Sequence, residues 1–316
     1  MRLFFYLLFL TLIFQQELEA QHSKVVSAFE SIESSPQIIR FTNTFEVNNN
    51  GGHLQGIQLL NNNPENYILM SGSSDSYAYT AIIKQRDPDD KVIGINKLME
   101  KPFKHAGGFQ IFEKYMAVGI EDNVEKDKSK VCIYDVSSPA NLNTKPLAII
   151  VREGAPMRST AGCVGISEYK NEMLIAVGDW DTKHIDFYSG SLRNAEKSNF
   201  KIVCTIDTEK LEKNGWVDKN WYSYQNINLF NINEKLYLVG LGQTPDSENI
   251  ADLFSLLVDR TGNFVPVKIA SKKFNCSNEC TFKAGAGIHY ENGKFSIISC
   301  GYNIKNTTYL NYFSGN

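Results

Sequence analysis

The chain of 316 residues lacks an excess of charge: 32 Lys+Arg against 35 Asp+Glu leave a formal net charge of −3. A nucleic-acid partner needs a cationic surface against phosphate, so no nucleic acid is expected. After the first residues there is no further apolar stretch of membrane length, so stable membrane insertion is not expected either. No segment keeps a helical apolar period over three turns, which argues against a helical bundle. A glycine-rich phosphate loop, a nucleophile elbow and a His-Glu-x-x-His metalloprotease motif are all missing. What is present excludes disorder: 42% hydrophobic and 12% aromatic residues, spread along the whole length.

The first residues read as a secretory signal. Arg2 supplies the positive start, Leu3 to Phe14 form an apolar run broken only by Thr11, and Ala20 offers a cleavage point. That run is shorter than the ~20 residues of a spanning helix. The expectation is a signal over residues 1–20 and one domain over 21–316, extracellular or periplasmic. Six cysteines follow the signal, in a compartment that permits disulfides. Only Cys276 and Cys280 are close in sequence, within the turn-rich Asn275-Cys-Ser-Asn-Glu-Cys280, and they form the expected bridge. Cys132, Cys163, Cys204 and Cys300 sit in apolar strand-like runs and read as buried thiols. Asn275 and Asn306 fit the N-glycosylation sequon.

An internal repeat decides the fold class. Five segments share an order of a Gly-rich apolar strand, a short gap, and an apolar strand ending in Gly. They open at His53, His105, Thr160, Ser223 and Ala284, which are 52, 55, 63 and 61 residues apart. Each continues into a third strand, such as Ala78–Ile83 or Leu253–Val258. Four continue into a fourth strand, such as Leu147–Val151 or Phe264–Ile269. The fifth runs out of chain after three strands. The missing one is available at the other end, as Ile38–Glu46, where pairing would remove an exposed edge. The prediction is an all-β, five-bladed β-propeller of four-stranded blades, closed by an N-terminal strand that completes the last blade. The His-x-x-Gly-apolar-Gln opening of the first two units, at His53 and His105, resembles inner strands of secreted propeller proteins.

Because strands one and two of a blade are antiparallel, the start of one meets the end of the other on one face of the ring. That face is predicted to gather His53, His105 and Arg158 with the acidic residues Asp75, Glu121, Asp122, Asp179 and Asp181. Trp180, Trp221, Tyr222, Gln243 and Tyr302 join them in a polar and aromatic mouth. Deeper in the channel one position per unit reads Gln58, Gln110, Gly165, Asn228 and His289. These side chains either hydrogen-bond channel water and neighbouring strands or contact a ligand. Glu121, Asp122, Asp179 and Asp181 are the candidates for acid/base chemistry, or for oxygen ligands to Ca²⁺. No cofactor is otherwise expected. The leading expectation is a secreted binding module whose mouth takes a carbohydrate or another polar extracellular partner, protein included. The alternatives are a glycoside-hydrolase-like enzyme using carboxylates of the same mouth, and a protein-interaction scaffold.

Overall fold

The computed structural model describes residues 23–46, 52–62, 65–85, 90–192 and 199–315. The expected signal segment lies outside them. The described strands sort by antiparallel pairing into units of four. The first unit is β2 (Leu54–Asn62), β3 (Glu65–Ser73), β4 (Tyr77–Lys84) and β5 (Lys91–Glu100). The second is β6 (His105–Phe112), β7 (Tyr115–Glu121), β8 (Lys128–Asp135) and β9 (Ala148–Glu153). The third is β10 (Cys163–Tyr169), β11 (Glu172–Gly178), β12 (His184–Gly190) and β13 (Lys201–Asp207). The fourth is β14 (Tyr224–Ile232), β15 (Lys235–Gln243), β16 (Asn249–Val258) and β17 (Phe264–Phe274). The last holds β18 (Gly285–Glu291), β19 (Lys294–Cys300) and β20 (Thr307–Phe313) with β1 (Gln37–Thr42) from the other end of the chain. β1 lies antiparallel to β20 from Gln37 opposite Tyr312 to Thr42 opposite Thr307.

Local chemistry explains the hairpins. The first two strands of several units are joined by two-residue turns, as between Tyr169 and Glu172 or Ile232 and Lys235. Left-handed φ falls on Lys170, Asn171, Asn233 and Glu234, and on Asn292-Gly293 in the last unit, as such turns require. Innermost strands pack so closely that a side chain would not fit at some positions. A Cβ on Gly107 would lie 2.2 Å from the Gly162 carbonyl oxygen, and one on Gly287 would lie 2.0 Å from that of Ile57. This is why the repeat opens glycine-rich.

Apolar faces are buried between neighbouring units, not within one sheet. Phe109, Val118 and Cys132 pack with Leu69 and Ile82 between the first two units. Phe41, Tyr79, Ile298 and Leu310 fill the space between the last unit and the first. Residues 23–30 form a helix that the sequence reading did not anticipate. Its Val25 and Phe29, followed by Ile32, insert between the last two units beside Phe295 and Phe313. Ile32 bridges Gly315, so this segment ties the two ends of the described chain together.

All six cysteines are free thiols in this structure, so the expected Cys276–Cys280 bridge is not made. The reason is orientation: Cys276 Sγ faces Ser299 Oγ at 3.7 Å, while Cys280 Sγ points to the Tyr309 carbonyl at 3.2 Å. Burial pushes their thiols up to about 11 and about 12. No helix among the described residues is long and apolar enough to cross a membrane.

Candidate functional site

Starts of first strands and ends of second strands meet around a cavity of about 700 Å³. His53 and His105 contribute from the first two units, Glu121 from the end of β7, and Asp179, Trp180 and Asp181 from the turn after β11. Trp221 and Tyr222 precede β14, Gln243 ends β15, and Tyr302 follows β19. These are the residues that the antiparallel argument places together.

Others fall elsewhere. Arg158 turns away and clasps Asp186 with both guanidinium nitrogens at 2.6 Å, where Arg152 also binds. Asp75 faces Lys101 and Lys104 outside the cavity. Asp122 is buried beside Lys128, and its side chain accepts from Val124 N, so it organises its loop. The channel amides are engaged by neighbouring strands. Gln58 Nε2 donates to the Phe109 carbonyl at 3.0 Å. Gln110 donates to the Leu229 carbonyl and accepts from Ile166 N at 2.8 Å. Asn228 Oδ1 accepts from Ile288 N at 3.4 Å. Together they tie the innermost strands of different units to one another. His289 does not share their environment: it is half-buried, 3.5 Å from Glu291, in a separate cavity of about 330 Å³ with Asn61 and Asn66.

Several lining residues are not among those the sequence places at the mouth, Gln55 and Gln225 first among them. Register shifts in β2 and β14 fall at Gln55 and Gln225, and such bulges re-aim a side chain. Both now line the cavity, and Gln225 donates to Gln55. Gly56 after Gln55 was a usable bulge signal; Gln225 had none. Lys283 also lines the wall.

The two histidines sit with ring centroids 6.0 Å apart, and His53 stacks on Tyr302 at 5.5 Å. Burial, and then the neighbouring His105, bring His53 down to about 4. Above pH 6.5 the ring is neutral in folded and unfolded chains alike. Between pH 6.5 and about 4 only the unfolded chain takes up the proton, so stability falls with pH. His53→Gln should therefore lose less of its melting temperature than the unmodified protein between about pH 7 and about pH 4.5. Equal losses would show that His53 titrates normally.

His105 is 8% exposed, and its Nδ1 lies 3.2 Å from Glu121 Oε1 without forming a hydrogen bond. Glu121 is 1% exposed, and its other oxygen accepts from Ala161 N at 2.9 Å. Asp179 is 4% exposed and accepts from His184 N at 2.8 Å, with the His184 ring at the same distance. Burial raises the Asp179 carboxyl above its ordinary value despite the opposing pull of His184. Asp181 and Thr182 hold φ of 60° and 50°, a strained choice for a β-branched residue. Thr182 justifies it by accepting from Tyr224 N and, through its carbonyl, from Trp221 Nε1. One turn thus anchors both tryptophan-bearing walls. Among the described residues, no group of three or more His, Cys, Asp or Glu could hold a metal ion.

Neither a protein-family model nor a curated protein matches the sequence. Solved structures do resemble the fold. An exo-β-1,3-galactanase from Phanerochaete chrysosporium with β-1,3-galactotriose matches at TM-score 0.50 and 8% identity, over 88% of this chain and 63% of that one. The chain is all-β and propeller-like. A family-32 β-fructofuranosidase from Bombyx mori with sucrose matches at TM-score 0.48 and 9% identity, over 93% of this chain and 65% of that one. A family-43 enzyme from Xanthomonas citri with xylose matches at 0.47 and 9%, over 92% and 93%. This chain thus spans less than two thirds of the galactanase and the fructofuranosidase. At such identities the likeness concerns fold alone.

Proposed function

We propose that the chain is an exported five-bladed propeller, closed by β1, whose mouth binds a saccharide and cleaves a glycosidic bond. The observation that carries this is the pair Glu121 and Asp179: two carboxylates from different units, each more than nine-tenths buried, on the wall of one aromatic-lined cavity. Burying a carboxylate is costly, and a carboxylate kept in a cleft with a raised proton affinity, as Asp179 is, marks a site of chemistry. In this reading Asp179, held above its ordinary pKa, donates a proton to the departing glycosidic oxygen. Water supplies the hydroxyl that replaces the departing group at the anomeric carbon, and Glu121 accepts the proton this water releases. Trp180, Trp221, Tyr222 and Tyr302 supply flat apolar faces for sugar C–H groups, and Gln55, Gln225 and Gln243 supply amides for hydroxyls. Export through residues 1–20 belongs to the same proposal. Asn275 and Asn306 are exposed, as acceptors of a glycan must be.

A second reading, a binding module without turnover, rests on the carboxylates' existing partners. His184 engages both oxygens of Asp179, and Ala161 N engages one of Glu121. One set of variants separates the readings, assayed against β-1,3-galactotriose, xylotriose and sucrose. Glu121→Gln and Asp179→Asn should lower turnover by about 10²-fold or more if the pair is an acid and base. Trp180→Ala should weaken affinity for the same sugars with the fold intact. Binding without turnover in the unmodified chain would leave the module; neither binding nor turnover would remove saccharides from the mouth.

A further inference from the structure

The charged segment 122–127, between β7 and β8, is a built loop. Asp122 Oδ1 accepts from Val124 N and Glu125 N at 3.1 and 3.3 Å, and Lys126 N donates to the Asp122 carbonyl at 2.9 Å. From there the loop is tied to the next unit. Met157 N donates to the Lys126 carbonyl at 2.9 Å, and Trp180 N donates to that of Met157 at 3.4 Å. Lys126 and Met157 hold φ of 59° and 68°, a conformation that non-glycine residues keep only where the surroundings impose it. The outcome is a contact at the mouth: Lys126 Nζ lies 3.7 Å from the centroid of the Trp180 ring. Trp180 lines the cavity and Lys126 does not, so the ammonium braces the indole from outside it.

We propose that Lys126 is a positioning residue that fixes the Trp180 indole as a wall of the mouth through a cation–π contact. Its effect on affinity rests on the saccharide reading above; its effect on Trp180 does not. Lys126→Met removes the charge and keeps an unbranched stem. It should make tryptophan fluorescence more quenchable by acrylamide, and Lys126→Arg, which retains a cation for the ring, should restore the original value. The increase should vanish in a Trp180→Phe background, since the coupled partner is then gone. Affinity for β-1,3-galactotriose or xylotriose should fall roughly two- to thirtyfold in Lys126→Met, at an unchanged melting temperature. Unchanged quenching in Lys126→Met, or an increase that persists without Trp180, overturns the proposal. Increased quenching confined to Trp180, with no saccharide bound by any variant, upholds the positioning role and rejects the saccharide reading instead.

Discussion

Lys268→Met is expected to destabilise the protein by about 3–5 kcal/mol, because it leaves a buried carboxylate without its counter-charge. Lys268 is 0% exposed, with Nζ 2.8 Å from Asp252 Oδ2 and 3.0 Å from Asp218 Oδ1. Asp252 is equally buried; it accepts from the Tyr224 hydroxyl at 2.5 Å, and its Oδ1 has no hydrogen-bond partner. The rings of Tyr222, Phe254 and Trp216 surround the ammonium, the first at 5.3 Å. Without the cation, the buried Asp252 carboxylate must draw in water, which disturbs the wall that carries Tyr222 and Tyr224. The double variant Lys268→Met with Asp252→Leu should recover much of the loss, because two apolar groups need no mutual compensation. Urea unfolding of the two variants beside the unmodified chain is the measurement. A single variant as stable as the parent would show that the pair is hydrated and of little weight.

Removing residues Pro36–Glu46 should abolish the cooperative unfolding transition altogether. The cut takes out β1, exposing the whole length of β20 and the edge that β1 shares with β5 at Lys91. It also strips Phe41, fully buried, from the core between the last and first units. The helix at 23–30 loses β1, the strand that leads from it directly into the last unit. Phe41→Ala alone should cost about 3–5 kcal/mol while leaving a two-state transition, which separates loss of a side chain from loss of closure. Circular dichroism and tryptophan fluorescence followed through urea would decide. Coincident, unshifted transitions in the deletion variant would refute the closed ring.

The strands were legible because each unit states its own local physics. Runs rich in β-branched and aromatic residues set the strands, Asn-Gly at 292–293 and Lys-Asn at 170–171 set turns, and glycine marks where innermost strands crowd. The gathering of His53, His105, Glu121, Asp179 and Trp180 was equally legible, since antiparallel pairing forces strand starts and ends together. Alternation also places Lys268 inward, on the parity of Phe264 and Ala270, but only as an anomaly. That Asp252 and Asp218 compensate it depends on strand register and on a loop some fifty residues away.

Composition and repeat therefore determined the all-β class, the order of strands within each unit and the face on which polar residues meet. These follow from period-two geometry and turn chemistry, which act over a few residues. Tertiary structure alone decided that Arg158 leaves the mouth for Asp186, that the channel amides serve neighbouring strands, and that His289 lies in another cavity. It also decided that bulges swing Gln55 and Gln225 into the site. The physical reason is common to all of these. Periodicity tells which face a side chain occupies, whereas its partner is set by strand register and by the angle between units, and these arise only when sequence-distant cores are packed together.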